Sequence, residues 1–310
     1  MRKAAMFMLA CVLAAALLPA ALAQDQYTLK YAPKVGATMS YEASISGEAA
    51  VSLMGGVPIP ITANLGFDVT PSSTDDKGVV TETLAYTSAD AEAMDMPFSS
   101  QYVGTKIEVK REPDGAWAPG GQVLPPPDMN PADILIMFGQ LPRLVRFPKD
   151  PVKVGDEWTI ERQPLPPFFG SPKPEGQDGT EAEALSKTFI EQRCKLTAVK
   201  DFEGRKAAVI MCEMKITMEG EEIFPGQPVD AQLAGTIELA VYSDTGELIV
   251  SDIKCDDSWL KTQFQGADVE IKITNMKGRF KIKGADVGDK PEQPAQPQGG
   301  DATGNKRPGT

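Results

Sequence analysis

The feature that most constrains the fold is a segment that occurs twice. Lys34-Val35-Gly36-Ala37-Thr38-Met39-Ser40-Tyr41-Glu42 is matched by Lys153-Val154-Gly155-Asp156-Glu157-Trp158-Thr159-Ile160-Glu161. Both read Lys-Val-Gly, two spacers, a large apolar residue, Ser or Thr, and a closing Glu. Gly104-Thr105-Lys106-Ile107-Glu108-Val109 and Gly235-Thr236-Ile237-Glu238-Leu239-Ala240 form a second match. The turns Asp76-Lys77-Gly78 and Phe202-Glu203-Gly204 form a third. Three matches in one order describe two copies of a β-rich unit, about 120 to 130 residues apart.

Within each copy apolar residues alternate with polar ones, the spacing of strands with one face on a core and one in water. Strands are expected near 38–50, 59–70, 79–87 and 104–110 in the first copy. In the second they fall near 187–199, 206–218, 233–243 and 247–258, with a further one over 268–283. One helix is expected, with Asn130 as N-cap, Pro131 in the first position and Ala132–Gln140 following. The fold class is therefore mainly β: two repeated antiparallel units, as a sandwich or half-barrel, with a short helix in the crossover. The domain organisation that follows is a leader (1–23), a first β repeat (24–120), a Pro-rich crossover (121–150), a second repeat (151–283) and a Pro/Gly/Gln-rich disordered tail (284–310).

Arg2-Lys3, the apolar run Ala4–Leu18, Pro19 and Ala21-Leu22-Ala23 have the three-part form of a cleaved secretory leader. Its removal takes the formal charge from -12 to -14, since the segment carries two basic residues and no acid. No later segment is long and apolar enough to span a bilayer, so the expected location is periplasmic or extracellular. Of three remaining cysteines, Cys194 and Cys212 stand opposite one another if the chain folds back at residue 203, with 196 opposite 210 and 198 opposite 208. That register makes them a candidate disulfide if they form a non-hydrogen-bonded pair, the alternative being two buried free thiols. Cys255 is the odd residue.

The chain has no histidine, which removes the commonest general base, the usual activator of a Ser or Cys nucleophile and the commonest zinc ligand. An acidic chain is repelled by phosphate backbones, so nucleic acid is not an expected partner. Met94, Met96, Met211, Met214 and Met218 have Cu(I)-type side chains, but Met211 and Met214 fall on opposite strand faces. The acidic pairs Asp75-Asp76, Glu221-Glu222 and Asp256-Asp257 are read as solvated turn-flanking groups rather than a carboxylate dyad. Asp178–Glu183 lacks the Asp-x-Asp-x-Asp-Gly loop of an EF-hand. Lys272, Lys277, Arg279, Lys281 and Lys283 make a basic stretch, read as a solvated sheet face. No catalytic, metal or cofactor site is expected.

Phe147-Pro148-Lys149-Asp150-Pro151-Val152-Lys153-Val154-Gly155-Asp156-Glu157-Trp158 resembles the strand opening of a family of exported bacterial proteins of unassigned function with duplicated β-rich halves. The resemblance implies the fold and compartment above and names no catalytic residue; Ala37 and Met39 depart from its pattern. The leading expectation is a non-enzymatic envelope or secreted protein acting as a binding or structural module toward an envelope partner. The alternative is a carrier of lipid or another apolar ligand in a half-barrel, with Leu135, Phe138, Phe168 and Phe169 as its lid. A carboxylate-dependent hydrolase ranks below both.

Overall fold

In the computed structural model the described residues are 25–122, 124, 130–166, 187–224, 227–264 and 266–284. The expected leader, the tail from residue 285, Phe168, Phe169 and the Asp178–Glu183 stretch lie outside them.

Alternation resolves into thirteen strands: β1 (Met39–Val51), β2 (Pro58–Thr74), β3 (Val80–Ala93), β4 (Met96–Ser99), β5 (Lys106–Arg111), β6 (Trp117–Ala118), β7 (Glu157–Pro164), β8 (Thr188–Phe202), β9 (Arg205–Phe224), β10 (Gln227–Tyr242), β11 (Leu248–Cys255), β12 (Ser258–Phe264) and β13 (Ala267–Ile282). The one α-helix among the described residues, α1, covers Pro131–Phe138. All strands join one antiparallel sheet, ordered β6-β5-β3-β2-β1-β13-β11-β10-β9-β8-β7, with β4 on β3 and β12 between β10 and β13.

The Lys-Val-Gly segments lead into β1 and β7, with Gly36 and Gly155 at φ of 81° and 101°. Met39 and Trp158 pack at the margin of the core. From these openings run two meanders of like order, β1-β2-β3-β5 and β7-β8-β9-β10. Phe202–Arg205 closes the β8–β9 hairpin, with Glu203 and Gly204 both at positive φ, the backbone of a two-residue primed turn. The second sequence match is not a local structural equivalence: Gly104 sits at φ 85° in a turn before β5, whereas Gly235 lies inside β10.

The sheet bends along a line that crosses several strands. On β1 the register shifts between Ser46 and Glu48, opposite Asn275 (φ 55°) and Met276 of β13. Next along, β11 stops at Cys255 and β12 starts at Ser258, so two short strands occupy the slot between β10 and β13. Gly235 of β10 completes the line. A Cβ there would lie 2.2 Å from the Lys254 carbonyl oxygen and 2.8 Å from Cys255 Sγ, so only glycine permits this approach. Aligned bulges and a glycine fold the sheet toward its apolar face.

That face wraps α1 and the crossover. Asn130 Oδ1 accepts from Ala132 N–H (2.9 Å) as the N-cap, and its amide donates to Ser99 O (2.8 Å). Asp133, fully buried in the first turn, accepts from Ser100 Oγ (2.6 Å), Gln101 N–H (3.1 Å) and Gln101 Nε2 (3.0 Å). The helix is thereby clamped to the chain after β4. Beyond it, buried Gln192 of β8 accepts from Arg146 N–H (3.1 Å) and donates to Leu144 O (2.7 Å). One hydrophobic cluster draws on β1, β2, β3, β5, α1, β8, β9, β10, β11 and β13, including the stacked rings of Tyr41 and Phe67 at 5.2 Å.

Candidate functional site

An apolar cavity of about 140 Å³ lies between α1 and the part of the sheet beyond the bend. From the helix and the short 3-10 turn after it (Leu141–Leu144) come Ile134, Met137, Phe138 and Leu141. The sheet contributes Ile216 and Met218 of β9, Leu233 of β10, Leu260 of β12 and Ile273 of β13. Trp117 of β6 and Leu165, just past β7, also line it, so both outer strands of the sheet curl toward the same space. Most of these side chains are only half-buried, so the cavity opens to solvent. No Asp, Glu, Lys or Arg is among the described lining residues. An enclosed apolar cavity of roughly 150 Å³ accepts a benzene-sized molecule; the opening here lets a larger ligand place one ring inside and the rest at the mouth. The described lining therefore favours the apolar part of a ligand.

The register explains why these residues meet. Leu233 pairs with Ile216 and Ala231 with Met218, so β9 and β10 present a continuous apolar strip. Leu260 pairs with Ala231 on one side and Ile271 on the other, extending the strip to β13. Ile134, Met137 and Phe138 fall at spacings of three and four on α1 and face this strip as one stripe.

Of the expected lid residues, Phe138 lines the cavity. Leu135 is instead part of the closed core at 4% exposure. Phe168 and Phe169 lie outside the described residues. Cys194 and Cys212 are directly paired across β8 and β9, both buried, with their sulfurs 2.7 Å apart as free thiols. The expected register holds at 194–212 and 196–210, then shifts: a bulge at Thr197 sets Ala198 opposite Val209 rather than Ala208. Met94 and Met96 stand exposed at the β3–β4 hairpin, and Met211 and Met214 point to opposite faces of β9. Among the described residues no three His, Cys, Asp or Glu side chains gather in a metal-like group. Lys281 pairs with Glu42 (2.9 Å) and Arg279 with Asp252 (3.8 Å) on the outer face of β13.

Sequence reasoning missed a buried polar cluster that fixes the cavity roof. Glu82 of β3 is fully buried and forms an ion pair with Arg143, itself 4% exposed. It also accepts a hydrogen bond from the Tyr31 hydroxyl. Arg143 Nη1 donates to Gln140 Oε1 (2.7 Å), and Gln140 Nε2 donates to the Tyr86 hydroxyl (3.2 Å). Arg111 donates to the Arg143 carbonyl (2.9 Å) and lies 3.8 Å over the Tyr31 ring. Burial opposes the Arg143 charge, but Glu82 and the facing tyrosines outweigh it and raise its pKa. The hydroxyls of Tyr31, Tyr41 and Tyr86 are all pushed up, in each case chiefly by burial. The only sequence trace of this cluster was a glutamate in the even-numbered, core-facing row of β3, where apolar residues stand on either side.

The class these features define is an open antiparallel β-sheet protein with an apolar pocket under a clamped helix. No family model matches the chain, and no curated protein matches it. Among solved structures it is similar to DynF from the dynemicin biosynthesis pathway of Micromonospora chersina, at 7% identity and a TM-score of 0.25, with 84% of this chain and 86% of that chain covered. At that level the likeness carries no argument about fold or function. No helix among the described residues is long and apolar enough to cross a membrane.

Proposed function

We propose that the chain is a non-enzymatic binding protein, exported from the cytoplasm, that carries a small apolar ligand or the apolar portion of a larger one. The observation behind this reading is the cavity under α1, whose described lining residues carry no charge and which opens to solvent. Burying apolar ligand surface there contributes about 25 cal/mol per Å² before the costs of association. A charged head group has no partner inside and stays at the mouth. The absence of histidine from the sequence and of any carboxylate from the described lining favours binding over hydrolysis.

Organic extraction of natively purified protein, followed by mass spectrometry, tests this. A stoichiometric apolar compound, or saturable uptake of the uncharged probe N-phenyl-1-naphthylamine by extracted protein, is the expected result. Protein that yields no compound and takes up no probe overturns the proposal.

A further inference from the structure

We infer that Cys194 and Cys212 are joined in the mature protein by a disulfide that staples β8 to β9, leaving Cys255 as a lone thiol. Three independent features of the backbone and side chains carry this. First, the two residues are direct partners in the β8–β9 ladder. Second, the hydrogen bonds around them fix the type of pair. Leu196 N–H donates to the Asp156 carbonyl (3.1 Å), and the Leu196 carbonyl accepts from Gly155 N–H (2.7 Å). The backbone groups of Leu196 thus point away from β9, toward the start of β7. Residues two apart on a strand point the same way, so those of Cys194 do too. Cys194 and Cys212 are then a non-hydrogen-bonded pair, the closer of the two antiparallel arrangements, with Cα atoms roughly 4.5 Å apart and within reach of a disulfide. Third, both sulfurs point into one buried space and approach to 2.7 Å, nearer than two unbonded sulfurs need to be.

Cys255 is excluded by position. It lies on β11 opposite Gly235, with the whole of β10 between it and Cys212. Adjacent strands are about 4.8 Å apart, so two strand spacings exceed the Cα separation a disulfide allows.

The chemistry needs an oxidant, and its class is a disulfide, whether of a small thiol or of a dithiol oxidase. One cysteine thiolate attacks that disulfide, forms a mixed disulfide and expels a thiol. The second thiolate then attacks the bonded cysteine sulfur and expels the other thiol. Two S–H bonds are replaced by one S–S bond, and two electrons and two protons pass to the oxidant. In the folded chain both sulfurs are buried, and the hydrogen bond to Cys212 together with burial disfavours the Cys194 thiolate. Exchange therefore belongs to the time before the hairpin closes on the core. The finished bond is sheltered from reductants until the chain unfolds.

The test is refolding of the full chain in a glutathione redox buffer, with thiols blocked at harvest and non-reducing peptide mass spectrometry. The expected result is a Cys194–Cys212 peptide pair lighter than the two thiols by two hydrogens, with the blocking group on Cys255 alone. The thermal midpoint of the oxidised protein should exceed that of the reduced protein by ~6–12 °C. The Cys194→Ala/Cys212→Ala variant should show no dependence on reductant. Three blocked cysteines after refolding to the native circular-dichroism spectrum overturn the inference, as does a bridge to Cys255. The peptide mapping is done on the unaltered chain, so a variant that fails to fold leaves the test intact.

Discussion

Replacing Glu82 by glutamine keeps the shape of the side chain and removes its charge. Arg143, 4% exposed, then keeps its guanidinium without a counter-charge. Breaking a buried pair by removing one partner costs about 3–5 kcal/mol, because an uncompensated charge remains. Arg143→Met should cost a similar amount, since it strands the Glu82 carboxylate with only the Tyr31 hydroxyl as partner. The double variant Glu82→Gln/Arg143→Met removes both members of the pair and leaves Arg111, 5% exposed, on its bonds to the backbone carbonyls of Gly115 and position 143. Tyr31 still has an acceptor, but Gln140 Oε1 loses its donor and the new amide NH2 at position 82 faces methionine without an acceptor. Two unsatisfied buried groups at about 1–3 kcal/mol each come to about 2–6 kcal/mol, below the roughly 6–10 kcal/mol expected if the two single effects added. Urea unfolding at neutral pH, followed by circular dichroism and tryptophan fluorescence, measures all four proteins. A Glu82→Gln variant within about 1 kcal/mol of the parent would refute the reasoning. So would a double variant as unstable as the two single variants combined.

Three further outcomes follow from the geometry. Gly36→Ala places a Cβ in open space at φ 81° and should cost only about 1 kcal/mol. Gly246→Ala, at φ 65°, places it 2.5 Å from the Lys30 carbonyl and 2.7 Å from the Phe147 ring, and should cost about 3 kcal/mol or more by the same urea titration. Stability should fall at alkaline pH. Tyr31, Tyr41 and Tyr86 have raised folded-state pKa values, so the protein holds their protons after the unfolded chain has begun to lose them. Their contribution is complete below the unfolded value near 10 and is lost above it at about 4 kcal/mol per pH unit, after an earlier, smaller loss from Cys255, whose thiol burial pushes up to about 12. Urea midpoints that stay level from about pH 9 to 11 would contradict this. Leu233→Gln, on the cavity strip, should weaken N-phenyl-1-naphthylamine binding about tenfold in a fluorescence titration, through lost apolar contact and an added amide.

The strands were legible where one rule governed them. Period-two alternation located β8, β9, β10 and β13 because each has one face on the core and one in water. The Asn130-Pro131 helix start was legible because capping is a local interaction. The cavity was not, because it depends on where the sheet bends. That bend needs bulges on β1 and β13 and a break between β11 and β12 to coincide, and no single strand carries the information. Strand β12 was missed for the same reason: the expected strand stops at residue 258, and nothing local marks the residues up to Phe264 as a second short strand in the slot between β10 and β13. The Glu82–Arg143 pair was hidden because its partners are 61 residues apart, and a lone glutamate within a strand gives no hint of its partner. The Cys194–Cys212 pairing was read by counting from residue 203; the turn is centred between Glu203 and Gly204, a count that alone would set Cys194 opposite Glu213. The bulge at Thr197 moves the register by one and brings Cys194 opposite Cys212.

Entry of an apolar ligand under α1 is the event on which the proposed binding function rests. Methionine-methyl NMR during titration with N-phenyl-1-naphthylamine asks this directly, because the methionines sample separate regions. Met137 and Met218 line the cavity, Met94 and Met96 stand exposed at the β3–β4 hairpin, and Met211 is on the opposite face of β9 from Met214. Saturable shifts of the Met137 and Met218 methyls, with those of Met94, Met96 and Met211 unmoved, are the expected result. Shifts confined to the exposed methionines, or no shift at any of them, would contradict it.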